Sequence, residues 1–223
     1  MKRTKLRDRL LPRYTFGEEL FNMISHIVGA VFGIWVLVSC IVVSVNNSNT
    51  WGIVTSSIFG ASIILLYTMS SVYHGLKPNM GKKVMQVMDH CTIFYLIAGT
   101  YTPIVLGNMR VVSPVWAWTI FGVVWACAVF GTVFTAIDLR KYRVLSMICY
   151  IGMGWCIIMA IGPMLESCDI RCFYWILAGG IAYTLGAVLY GIGSKKKYFH
   201  SVFHVFVLLG TVCHYIGIIN YVL

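Results

Sequence analysis

Seven long apolar runs alternate with short polar connections along this chain of 223 residues. The runs cover roughly residues 19–45, 51–74, 84–106, 114–136, 143–163, 172–192 and 199–222. Each is at least about 20 residues long, the length an α-helix needs to cross about 30 Å of hydrocarbon. The connections carry turn residues: Asn46-Asn47-Ser48-Asn49, Lys77-Pro78-Asn79, Gly107-Asn108 and Gly193-Ser194. The pattern predicts an all-α fold, a seven-transmembrane-helix bundle forming one domain over residues 17–223 behind a tail of residues 1–16. Helices and loops use up the chain, which leaves no room for a separate soluble domain.

Charge gives the bundle a direction. The tail holds Lys2, Arg3, Lys5, Arg7, Arg9 and Arg13. Every second connection continues the pattern, with Lys77, Lys82 and Lys83, then Arg140, Lys141 and Arg143, then Lys195, Lys196 and Lys197. Only Arg110 and Arg171 of the 17 basic residues fall on the opposite side. Lys and Arg concentrate in cytoplasmic loops, so the N-terminus is expected in the cytoplasm and the C-terminus outside. One helix more or fewer would break the alternation.

Composition narrows the class further. Hydrophobic residues make up 59% and charged residues 11%, against roughly half and a quarter in soluble domains, and the mean hydropathy is +0.83. The net charge of +10 lies in short blocks between apolar runs, as topology signals that touch anionic headgroups, so no nucleic-acid partner is expected. The basic start runs into an apolar stretch too long for the core of a signal peptide, and the first helix is expected to be its own insertion signal. Gly29-x3-Gly33 has the spacing of a helix-dimer face, read here as ordinary helix contact. Most of the eight cysteines lie inside helices as packing residues. Cys168 and Cys172 share an outer loop, where either a disulfide or two free thiols fits.

Ionisable residues inside a membrane are costly, so each marks a functional-site hypothesis. His74 ends the second helix, while His200 and His204 open the seventh, all on the basic side. His200 and His204 are four apart and share one helix face, as do Ser70 and His74. Three histidines and a water make a catalytic zinc site, and Asp89 on the third helix could hold that water or take its proton. Paired histidines near an interface could equally bond headgroups or neighbouring helices. Asn22 and His26 suit a hydrogen-bond pair better than metal ligation, and His214 suits a satisfied bundle histidine. His90 points about 100° from Asp89 on a helix and is expected off the site. No lysine lies well within a helix, which excludes a retinal Schiff base, and the lack of deep carboxylates argues against a proton-coupled transporter.

Four motifs then stand in order: Glu19-x2-Asn22-x3-His26, Ser70-Ser71-Val72-Tyr73-His74, Met88-Asp89-His90, and His200-Ser201-Val202-Phe203-His204. The chain from about Tyr14 onward resembles the hemolysin III family, the bacterial branch of the progestin and adipoQ receptor superfamily that includes the adiponectin receptors. The resemblance implies an internal Zn2+ held by His74, His200 and His204. It places Asp89 at the water beside the metal and Ser70 near the metal, with Glu19, Asn22 and His26 as accessory residues. The superfamily also resembles the alkaline ceramidases, so the expected activity is zinc-dependent hydrolysis of a lipid amide within a bacterial cell membrane. A receptor or sensor with a structural zinc, and a pore-forming cytolytic protein, are the competing readings.

Overall fold

The computed structural model describes residues 3–192 and 196–223. The expected Gly193-Ser194 turn, Lys195 and Lys2 lie outside the described residues. Among the described residues, seven helices long and apolar enough to cross a membrane follow one another. They are α1 (Phe16–Asn46), α2 (Thr50–Gly75), α3 (Met80–Val112), α4 (Pro114–Asp138), α5 (Arg143–Ser167), α6 (Ile170–Ile192) and α7 (Phe199–Tyr221). The protein is a multi-pass membrane protein, and large apolar side chains such as Val31, Trp35, Val115 and Met159 stand exposed around it, where lipid replaces water.

Side-chain caps start the first three helices. At α1, Thr15 and Glu18 form a capping box, Thr15 Oγ1 accepting from the Glu18 N–H and Glu18 Oε2 accepting from the Thr15 N–H. Asn49 and Asn79 cap α2 and α3 through their side-chain oxygens. The third helix departs from expectation. Gly107-Asn108 is not a connection but part of a wide π-turn over Ile104–Met109, and the chain breaks only at Ser113. Pro103 ends the regular α ladder, and Pro114 pushes Ser113 out of the helical region. The fifth helix runs on to Ser167, with a tighter 3-10 segment at Cys156–Ala160.

α3 is the most buried of the seven. α1 packs on α2, α2 on α3, and α3 on α4, while α6 pairs with α7 and α7 returns to α1. Gly29 and Gly33 bring α1 against Tyr67, Ile63 and Ile64 of α2, so the G-x3-G spacing serves contact within the chain. Midway through the bundle Thr211 Oγ1 meets Tyr67 Oη at 2.8 Å and Tyr183 Oη at 2.9 Å, joining α2, α6 and α7.

The two ends differ. At the basic end the Thr4 N–H donates to Asp138 Oδ2, Lys83 Nζ donates to the Arg7 carbonyl, and the Tyr198 N–H donates to Glu18 Oε1. At the far end Asn47 and Asn108 donate to the carbonyls of Leu223 and Tyr221. All eight cysteines are free in this structure, with the Cys168 and Cys172 thiols in hydrogen-bond contact.

Candidate metal centre

The basic end holds the chemistry. His74 sits in the last turn of α2, and His200 and His204 occupy successive turns at the start of α7. Glu18 holds the chain that enters α7: its carboxylate accepts from Tyr198, which takes a left-handed φ of 62° just before the helix. His200 Nε2 lies 3.4 Å from His74 Nε2 and 3.0 Å from His204 Nε2. His74 and His204 are buried and His200 is half-buried. Their ligand atoms all fall within 4.8 Å of one another, a group that could hold a metal ion.

The donor set fits a cation. His74 Nδ1 is 2.6 Å from Glu19 Oε2. A carboxylate only accepts, so Nδ1 carries the proton and Nε2 presents a bare lone pair. That nitrogen faces His200 Nε2, and the three imidazoles stand close enough together to share one ion. Zn–N bonds of about 2.0–2.1 Å imply N···N edges of about 3.3–3.4 Å, which the His74–His200 separation of 3.4 Å matches and the His200–His204 separation of 3.0 Å falls short of.

Around the cluster, Glu19 Oε1 accepts from Lys82 Nζ at 2.6 Å, and Lys82 also donates to the Leu76 carbonyl at 2.9 Å. Lys82 is only 3% exposed, a buried ammonium bridging α1, α2 and α3. Tyr14, ahead of α1, stacks on the His200 ring with centroids 5.0 Å apart and the planes 19° from parallel. Burial pushes its phenol above the ordinary range, so Tyr14 covers the cluster as a neutral ring. His26 packs its ring 3.9 Å from that of His204. Neither His26 nor Asn22 has a side-chain hydrogen-bond partner among the described residues. The expected Asn22–His26 pair is therefore not formed, because His26 turns toward His204 and Tyr67 instead.

Ser70 and Asp89 lie with His200 and His204 on the wall of one cavity of about 390 Å³. Many helical Ser and Thr hydroxyls here donate back to a carbonyl three or four residues earlier, as Ser44, Ser57 and Thr100 do. Ser70 Oγ does not, and it has no partner among the described residues. His90, expected to point away, lines the same cavity as Asp89. The cavity wraps far enough round α3 to take in residues 100° apart. Its wall follows α7 from His200 to His214, about 21 Å at 1.5 Å per residue. Beyond the polar end the lining is apolar, with Ile97, Ile104, Met164, Phe173 and Leu177. At the far end His214 Nε2 donates to the Ile176 carbonyl at 3.1 Å, while its Nδ1 has no partner among the described residues, so the histidine expected to be satisfied is satisfied at one nitrogen only.

Two contributors escaped the sequence reading. Lys82 was counted as a loop charge, and Tyr14 had only the start of the resemblance to point to it. Lys82 lies three residues after the Asn79 cap and so inside the first turn of α3, a signal the sequence does carry.

A family model described as Haemolysin-III related matches residues 14–215. The chain belongs to the haemolysin-III-related family. It is 35% identical over 206 residues to Hemolysin-3 of Bacillus cereus, covering 92% of each chain. It is 34% identical over 214 residues to the Hemolysin-3 homolog of Bacillus subtilis, covering 93% of this chain and 96% of that one. More distantly, it is 25% identical over 231 residues to the ADIPOR-like receptor IZH2 of Saccharomyces cerevisiae, covering 91% of this chain and 71% of the relative. That likeness fits the adiponectin-receptor superfamily. The match begins at Tyr14, the ring over the histidine cluster, and takes in Ser70, His74, Asp89, His200 and His204.

Proposed function

We propose that this haemolysin-III-related protein is a zinc-dependent, ceramidase-like hydrolase of a lipid amide, acting in membrane homeostasis with its metal site and N-terminus on the cytoplasmic side. One observation carries the reading. A single cavity joins His200, His204, Asp89 and Ser70 to an apolar chamber reaching the far half of the bundle. A polar, metal-competent end fused to an acyl-sized apolar chamber suits a lipid whose reacting bond lies next to its headgroup. α5 packs least closely of the helices on this side, so the lipid enters sideways beside it.

A zinc ion held by the three imidazoles supplies Lewis acidity and a water acidified toward neutrality. The residues of the chain do the rest. Glu19 orients His74. Asp89 takes the proton of the attacking water and returns it to the nitrogen of the leaving amine. The Ser70 hydroxyl, free of any backbone partner, donates to the carbonyl oxygen as negative charge gathers there. Tyr14 keeps bulk water off the cluster from the basic end.

The deciding experiment has two stages. Protein purified in mild detergent without chelator is assayed by elemental mass spectrometry beside a His200→Ala/His204→Ala variant. The expected result is about one zinc per chain, lost in the variant. The loaded protein is then offered ceramides and acyl amides. Full zinc with no turnover, while a control ceramidase is active, would sink the hydrolase and leave a sensor with structural zinc. Little metal in a folded wild type would sink both. A pore needs a polar stripe through the whole depth, and the fully buried apolar Val105, Met109, Met164 and Ile218 argue against one.

A further inference from the structure

The segment ahead of α1 is docked on the bundle. The Thr4 N–H donates to Asp138 Oδ2 at 2.7 Å, Arg3 Nε donates to the Ile137 carbonyl at 3.0 Å, and the Arg7 carbonyl accepts from Lys83 Nζ at 2.5 Å. These bonds lay the segment across the basic ends of α3 and α4. The short 3-10 turn Leu6–Asp8 then carries the chain into Arg9, which is only 6% exposed.

Arg9 is a buried cation without a counter-charge. Its Nε and Nη1 have no partner among the described residues, and no carboxylate among those residues forms an ion pair with it. The nearby acids are committed elsewhere. Asp8 pairs with Arg7, and Asp138 accepts from the N–H groups of Thr4, Arg140 and Lys141. The residues outside the description contain no acid. A guanidinium so placed is strongly unfavourable unless an anion meets it.

A pocket of about 190 Å³ lies against Arg9. Arg3 shares its wall, and the remaining lining is apolar, with Leu6, Val84, Val87 and Met88. Leu10 and Phe16, either side of the site in sequence, are 86% and 83% exposed, as side chains are that sit in lipid. We propose that Arg9 and Arg3 bind the phosphate of an anionic phospholipid, whose glycerol and upper acyl portion rest on Leu6, Val84, Val87 and Met88. The flat guanidinium fork matches phosphate oxygens two at a time, and basic pockets between helix ends are where anionic headgroups bind. A free phosphate ion offers the same oxygens but leaves the apolar wall bare. The site is separate from the metal centre and stands or falls without it.

Native mass spectrometry of the full chain, given equal amounts of phosphatidylglycerol and phosphatidylcholine, tests the proposal. Wild type is expected to retain phosphatidylglycerol preferentially, and Arg9→Gln to lose that preference by roughly fivefold or more. Arg13→Gln, a change at an exposed arginine of the same segment, should leave it nearly intact. Met88→Trp fills the pocket from its apolar side with every charge kept, and it too should expel the lipid, which covers the case in which Arg9→Gln fails to fold. Equal retention by wild type, Arg9→Gln and Met88→Trp would overturn the site. A parallel melting experiment uses inorganic phosphate. Stabilisation by phosphate alone, with no lipid preference, would overturn the lipid assignment, whereas lipid preference without phosphate stabilisation supports it.

Discussion

Glu19 Oε2 lies 2.6 Å from His74 Nδ1 while its other oxygen lies 2.6 Å from Lys82 Nζ. One carboxylate thus fixes the tautomer of a candidate metal ligand and is itself held by a buried cation. Partners of this kind typically carry 10–100-fold in metal affinity. Glu19→Gln is therefore expected to weaken zinc binding by about that factor, read by competition with a chelator. Lys82→Met should act in the same direction by less. Unchanged affinity in both variants would mean that packing alone holds the His74 ring.

Asp89 separates catalysis from structure. No side-chain hydrogen bond or ion pair of Asp89 occurs among the described residues, and its side chain faces the cavity. Asp89→Asn should keep the zinc and cost about 10²–10⁴ in hydrolysis, the usual worth of a general base. Activity that survives the change would favour a structural metal.

Cys168 offers a probe of orientation. Hydrogen bonds from Cys172, Ser167 and Asn108 stabilise its thiolate and hold its thiol below the ordinary thiol range. The thiolate is the reactive form and gains population as pH rises. Alkylation of Cys168 should therefore reach half its limiting rate at a lower pH than the value of about 8.5 for an ordinary thiol. In intact cells an impermeant maleimide should label Cys168 if the far end faces outward. Labelling only after lysis would reverse the topology drawn from the basic loops.

Gly29 tests helix packing. A Cβ there would enter the Tyr67 ring, whereas nothing lies within 4 Å of one added at Gly122. Gly29→Val should cost about 1–3 kcal/mol, the usual penalty of overpacking, seen as a lower melting temperature in detergent. Gly122→Ala should melt like wild type. Equal melting of both would show that α1 moves aside freely.

Most of the fold was legible because membrane crossing imposes a length and a hydropathy that sequence displays directly. The three histidines were legible because helical spacing and loop charge together put His74, His200 and His204 at one end. What stayed hidden depended on contacts between distant segments. Nothing in the first-helix motif alone says that Glu19 meets His74, 55 residues away. Lys82 looked like one more loop charge until the Asn79 cap placed it in a helix. The π-turn after Pro103 was missed because Gly107-Asn108 has turn composition, while tertiary packing buries both Leu106 and Met109 there.

His74 and His200 stand 126 residues apart in sequence yet present nitrogens 3.4 Å apart. A chain made from its N-terminus delivers the first imidazole early and the other two only with its last helix. Any ion bound by all three would therefore arrive as the closing step of biosynthesis. A nascent chain truncated before α7 would hold one imidazole of the three, so metal uptake would report that the bundle has been completed.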